Sequence, residues 1–351
     1  MGAKENKVLL DGVVKAFNKL IGHLGQHGIV SGVEMYVQPH VDLSLQTVAM
    51  RAAGWEIDFE QVAAVSGACA PFGYQRDAFM CKYAFRSLAP DARIAEATGY
   101  GFEWRPFGGA EDAWEMICDE IGAGRPVRGW HWEGLMFGGF EDAAEASDRR
   151  VYVMVDGPET FGRWWSWSEF REWVDLMAEW KSSFVGCHTG KIETADPAAV
   201  AQRVIAELVE WGQGAPEAIQ AKYPKATFGL AAMAAYADDC EDVDQFPEWT
   251  VCHGINPQTG LRNATAVYLT RVANENLFAT RVNHILPLVA GHYRSAYCAW
   301  KELYTLLGHH APEGAARDQD RRRAGAEAAR EAMRHEEAAL KMLARALEMI
   351  E

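Results

Sequence analysis

From Asp196 to the C-terminus the apolar residues keep one period, and that period is helical. Asp196-Pro197 pairs a capping residue with a first-turn proline, and Val200, Val204 and Leu208 follow four apart. The same spacing predicts helices near 198–211, 226–240, 261–274 and 282–307. A last one, near 324–350, carries Leu340, Leu343, Leu347 and Ile350 as one stripe. No convincing strand is read after Ala201. Upstream, short helices mix with short extended runs. The chain therefore reads as α+β, with a mixed domain over 1–192 and an all-helical domain over 193–351. At 351 residues, two domains are the natural expectation.

In the first half, Asp11 is placed to cap a helix that Gly25 and Gly28 end. Gly32 to Val37 reads as extended, and Pro39 keeps Gln38 out of helical geometry. A helix over about Leu43 to Ala53 follows, with Asp42 or Ser44 as its cap and Gly54 as its stop. Asp58 and Gln61 form a capping-box pattern for a short helix that ends at Ser66-Gly67, and Ser166 with Glu169 forms a second. Between these lies the stretch from Ile121 to Asp156. A helix ends at its glycines, and a strand over about 129–137 carries His131 and Glu133. A turn follows, and a second strand delivers Asp156. Residues two apart on a strand share a face, so His131 and Glu133 are expected on the same side.

A formal net charge of -15 argues against a general nucleic-acid or anionic-membrane binder. Arg321-Arg322-Arg323 is the local exception and reads as a solvated connector. The first residues lack a signal-peptide core, and no stretch is long enough to span a bilayer. Seven scattered cysteines favour reduced thiols, hence a cytoplasmic setting. The unusual number is 13 tryptophans, of which nine fall between Trp104 and Trp180. They read either as a packed aromatic core or as the walls of a pocket for a flat or cationic small molecule.

Taken in order, Gln38 in an extended run, the helix through Ala49-Met50 to Gly54, Phe59 to Val65, and Ser66-Gly67 form a pattern. It continues with Gly124-Arg-Pro-Val, Gly139-Phe-Glu-Asp and Val155-Asp156. This order resembles the papain-like domains related to the butirosin-biosynthesis acyltransferases and to the bacteriocin-processing peptidase domains of peptide exporters. The resemblance covers about half the chain. It implies a cysteine at the start of the first core helix, a histidine on the first core strand, and an Asp or Asn on the next strand. An upstream glutamine at an oxyanion hole completes the set. Asp156 and Gln38 fall at the last two places. The cysteine is absent, since residues 40–46 read His-Val-Asp-Leu-Ser-Leu-Gln. The closest register puts Glu133 at the histidine's place, with His131 two residues earlier.

Two readings follow. In the first, the chain is a biosynthetic-type enzyme acting on an acyl or amide group of a small metabolite. Its catalytic set is drawn from His131, Glu133 and Asp156 with Ser44 or Cys69, and Gln38, His40 and Asp42 lie at the cleft. In the second, it is a catalytically silent binding protein whose Trp130, Trp132, Trp164 and Trp165 wall a pocket, with Glu133 and Asp42 as a negative floor for a cationic ligand. Either is compatible with a C-terminal helix that pairs to another subunit. No cofactor is expected and no metal: the chain has no Cys-x-x-Cys and no His-Glu-x-x-His. Cys187-His188 are neighbours on an extended run and point to opposite faces, and His284 and His292 read as packing or capping groups.

Overall fold

The computed structural model describes residues 6–10, 40–75, 90–130, 134–155, 162–242, 248–308, 311–312 and 314–350. In chain order the strands are β1 (Asn6–Leu9), β2 (Gly73–Tyr74), β3 (Tyr100–Pro106), β4 (Val127–Trp130), β5 (Gly134–Asp142), β6 (Arg150–Val155), β7 (Arg163–Ser166), β8 (Phe184–Lys191) and β9 (Thr227–Phe228). The helices are α1 (His40–Ala52), α2 (Phe59–Val65), α3 (Pro90–Thr98), α4 (Ala110–Gly122), α5 (Trp167–Glu179), α6 (Pro197–Gln213), α7 (Glu217–Lys222), α8 (Gly229–Glu241), α9 (Glu248–Asn274), α10 (Thr280–Leu307) and α11 (Gln319–Ile350). They form two compact units, Met1–Phe59 with Thr98–Glu193, and Glu60–Ala97 with Thr194–Glu351. One crossing, at Glu193/Thr194, falls where the helical period begins. The excursion of Glu60–Ala97 into the helical unit was not anticipated from the sequence.

The first unit holds a seven-stranded sheet ordered β3-β8-β4-β5-β6-β7, and β1 also pairs with β5. Every pairing in it is antiparallel. β5 is long enough to take two partners in series: β4 along Gly134 to Phe137, then β1 along Gly139 to Asp142. Alternation along the strands sorts the side chains into two faces. On one face Val127, Leu135, Phe137, Val151, Val153, Trp165, Val185 and Cys187 pack with Trp114, Ile117 and Ile121 of α4 and with Phe170, Trp173 and Met177 of α5. On the other, α1 lies against β4 and β5.

α5 begins as the sequence foretells. Ser166 accepts from the Glu169 backbone N–H, and the Glu169 carboxylate accepts from the Ser166 N–H at 2.8 Å. The expected cap of α1 does not form, because that helix starts at His40 and so takes Asp42 and Ser44 inside it.

The second unit is helical, as expected, with α9 against α10 and α11 laid along α6, α8 and α10. It also contains a two-residue ribbon, β2 with β9, where no strand was read after Ala201. The ribbon is too short to show a period, and it ends at Gly229. There φ is +63°, and a Cβ would fall 2.4 Å from the Gly212 carbonyl oxygen. Arg321-Arg322-Arg323 is not a connector but the first turn of α11. Arg322 is buried, donating to the carbonyls of Ala316 at 2.5 Å, Asp242 at 3.3 Å and Cys240 at 3.4 Å. A guanidinium has five donors, and the carbonyls at the end of α8 and in the turn before α11 give this one acceptors inside. Among the described residues no helix is long and apolar enough to cross a membrane.

The Ser166 backbone N–H, and after it the Arg163 guanidinium, hold the Glu169 carboxyl down at about 2. The folded value lies below the roughly 4.3 of an unfolded glutamate. The box therefore contributes stability above that pH and loses it as pH falls toward about 2. Glu169 is partly exposed, so solvent screening limits the ionic contribution to about 0.5 kcal/mol. Glu169→Gln keeps the box but removes the charge. Urea unfolding of this variant is expected to show a flatter stability profile than the parent between pH 5 and 2.

Candidate functional site

The stretch that carries the predicted chemistry is not one strand. β4 ends at Trp130 and β5 starts at Gly134, and the two pair antiparallel with Trp130 opposite Gly134. The single strand expected over about 129–137 is therefore two strands. His131, Trp132 and Glu133, like Gln38 and Asp156, lie outside the described residues. His40 and Asp42 lie on the first turn of α1.

Ser44 is one turn into α1 and 1% exposed, and among the described residues its hydroxyl has no hydrogen-bond partner. A serine or threonine inside a helix ordinarily donates to the carbonyl four residues back. Thr47, one turn on, does so to Leu43 at 2.7 Å. Cys69, the other candidate nucleophile, belongs to the second unit. It is buried, and burial pushes its thiol up to about 12. That is the setting of an inert thiol.

Beneath α1 a row of cross-strand neighbours runs over five strands: Trp104, Gly186, Arg128, Met136 and Met154. Arg128 is buried there, and its Nη1 donates to the Oε1 of Gln46 on α1. Its guanidinium lies 4.8 Å from the ring centre of Phe102 and 5.3 Å from that of Trp104, both cation–π contacts. Gly186 makes the arrangement possible, since a Cβ there would meet the Phe102 ring at 2.3 Å. Farther along β3 and β8, Tyr100 stacks on His188 with ring centres 4.3 Å apart, and Trp55 meets both edge-on. His188 Nδ1–H donates to the Gly101 carbonyl at 2.8 Å, and Trp55 Nε1–H to the Thr98 carbonyl at 2.9 Å. Burial pushes the Tyr100 hydroxyl well above the usual tyrosine range. This basic and aromatic cluster was missed from sequence. Arg128 between Val127 and Gly129 reads as an outward residue on an alternating strand, and only α1 laid over that face turns outward into buried.

The tryptophans divide between the two faces. Trp165 is in the core with Phe137 and Phe170, whereas Trp164 is next to it on β7 and so on the opposite side, where it meets Tyr152 and Arg150. Trp164 and Trp165 therefore cannot wall one pocket. Trp130 packs against the core, and its carbonyl accepts from Trp173 Nε1–H at 2.7 Å. Cys187 faces the core as expected of a neighbour of His188. Among the described residues no group of three or more His, Cys, Asp or Glu side chains is placed to hold a metal ion.

No protein-family model matches the chain, and no curated protein matches it.

Two measurements check this geometry. Gly186→Ala drives a methyl into Phe102 and Arg128 and is expected to destabilise the chain by about 1–3 kcal/mol in urea unfolding. Of the described cysteines, Cys298 is exposed and Cys69, Cys187 and Cys240 are buried. Peptide mapping after brief maleimide treatment at neutral pH is expected to find Cys298 labelled and the other three protected until the chain is unfolded.

Proposed function

We propose that the first unit is an acyl-transfer catalyst that acts on an acyl or amide group of a small metabolite, with Ser44 as its nucleophile. The observation that carries the reading is the Ser44 hydroxyl, buried near the start of α1 without a hydrogen-bond partner among the described residues. A native interior seldom leaves such a group unmade unless something else needs it. The papain-like resemblance places a nucleophile in this region of the helix, and the first backbone N–H groups of α1 have no acceptor within the helix. They are suited to stabilise an oxyanion.

In this reading Ser44 Oγ attacks the carbonyl carbon while its proton passes to His131, which Asp156 or Glu133 orients. The tetrahedral adduct collapses, the leaving group takes the proton from His131, and the acyl group stays on Ser44. An amine or water acceptor then gives its proton to His131, takes the acyl group, and restores the serine. Arg128, Phe102 and Trp104 beside α1 suit an acyl group with an aromatic or anionic end.

Treatment of the full chain with an alkyl fluorophosphonate, followed by intact-mass and peptide mapping, tests this. The expected result is one adduct on Ser44, absent in Ser44→Ala and formed at least about a hundredfold more slowly in His131→Gln. Ser44→Ala is also expected to raise stability by about 1 kcal/mol, because it deletes a buried polar atom that makes no bond. No adduct on the native chain, or labelling indifferent to His131, removes the proposal.

A further inference from the structure

α10 and α11 bring together two histidines that stand 43 residues apart in sequence. Nδ1 of His292 lies 3.4 Å from Nδ1 of His335. The rings are tilted by 44° with centres 5.7 Å apart, so these nitrogens are aimed at one another. The far nitrogen of His335 is already engaged, its Nε2–H donating to Glu331 Oε1 at 3.1 Å. The other Glu331 oxygen accepts from Arg334 Nε–H at 2.8 Å. Holding Nε2 protonated fixes the tautomer of His335 and leaves a lone pair on its Nδ1.

We infer that His292 and His335 form a site for a divalent transition metal of the zinc class. Two imidazole nitrogens bound at roughly 2.0–2.1 Å to a tetrahedral ion stand about 3.4 Å apart. His292 and His335 hold that spacing already. Glu331 on the distal nitrogen reproduces the carboxylate–histidine–metal arrangement that orients a ligand and raises its basicity. Without metal, His292 Nδ1–H donates to His335 Nδ1. On metal binding that proton moves to His292 Nε2, and both Nδ1 lone pairs turn to the ion. Imidazole suits zinc, nickel, copper and cobalt, and it does not suit magnesium or calcium.

Two protein ligands leave the remaining positions to water or to a ligand from outside. His335 and Glu331 line an open groove with Arg294, Ser295, Cys298 and Glu302, about 630 Å³ counting the space continuous with solvent. Incoming groups therefore approach the ion from the His335 side. Arg294 on the rim favours an anionic one. This inference is independent of the Ser44 reading and lies wholly in the helical unit.

Titration of the full chain with Co²⁺, read by its visible absorption, and thermal unfolding with and without Zn²⁺ test it. The expected result is one Co²⁺ bound with tetrahedral-type absorption, and a Zn²⁺-dependent rise in unfolding temperature. Each of His292→Ala and His335→Ala is expected to weaken binding by more than tenfold, Glu331→Gln by about tenfold. His284→Ala, at an exposed histidine of the same helix, serves as the control and leaves binding unchanged. All four positions are exposed or half-exposed, so the variants are expected to fold. No Co²⁺ absorption in the parent overturns the site, and so does binding that survives both imidazole deletions.

Discussion

A helix without a wet face sets the terms for the sheet unit. From Leu43 to Met50 every residue of α1 is buried, so a continuous run of side chains has to be matched on all sides. Three of the eight are polar, and each meets the dry interior differently. Thr47 turns its hydroxyl back on the helix at Leu43. Gln46 spends its oxygen on Arg128, whose guanidinium lies over the rings of Phe102 and Trp104. Among the described residues the Gln46 Nε2 and Ser44 Oγ atoms find no hydrogen-bond partner. The sheet accommodates this by putting its bulk on the other face, where aromatic residues of α4 and α5 fill the layer, and by keeping a bare Gly186 beneath the Phe102 ring.

The helical unit solves the same problem with charge. Arg262 on α9 and Glu336 on α11 are both buried and make a two-pronged pair at 2.6 and 2.7 Å. The third Arg262 nitrogen donates to the Cys69 carbonyl at 2.9 Å, and Trp300 Nε1–H lies 3.4 Å from the carboxylate. Desolvating two charges offsets most of their attraction, so such a pair does little for net stability, while loss of one partner costs about 3–5 kcal/mol. Its effect is on register. A fork that must meet a carboxylate edge-on permits one rotation of α9 against α11, which apolar packing alone leaves less defined. The cleft beside the pair, lined by Cys69, Phe72 and Tyr293 among others, is no roomier than a single water needs, which identifies it as a packing seam.

The features legible in the sequence were those set by local chemistry. Ser166 and Glu169 are three apart and need nothing beyond their own helix, so the capping box was readable. Pro197 opening α6 is of the same kind, as are the long stripes of α10 and α11. What failed depended on a partner far along the chain. The residues from 129 to 137 contain no Asn-Gly or Asp-Gly to announce a reversal, and a hairpin there looks like one strand. Arg322 sits between the half-buried Arg321 and the exposed Arg323, and the carbonyls of Cys240 and Ala316 that receive it lie far from it or in a separate turn. Arg128 is invisible for the same reason, as its burial is decided by α1, which lies more than seventy residues upstream. Of the proposed catalytic set the described residues hold Ser44 and Cys69; both are buried, and that burial is not written in either one's neighbours.

The contrast between Ser44 and Thr47 bears on why the chain keeps a hydroxyl at the first of these positions. Both are buried in the same helix, three residues apart, under the same backbone geometry. Thr47 shows that a hydroxyl in α1 has an acceptor within reach, since the carbonyl one turn back takes its proton. Geometry therefore does not forbid the bond that Ser44 leaves unmade. An alanine fits the same space without the desolvation penalty, about 1–3 kcal/mol for an unsatisfied buried polar group. A packing role gives no reason to prefer serine. The proposed nucleophilic role would, because a nucleophile tied to its own helix presents neither its lone pair nor its proton to anything else. On that proposal the unmet hydroxyl is a desolvation cost of the site, which the packing of the rest of the unit has to offset.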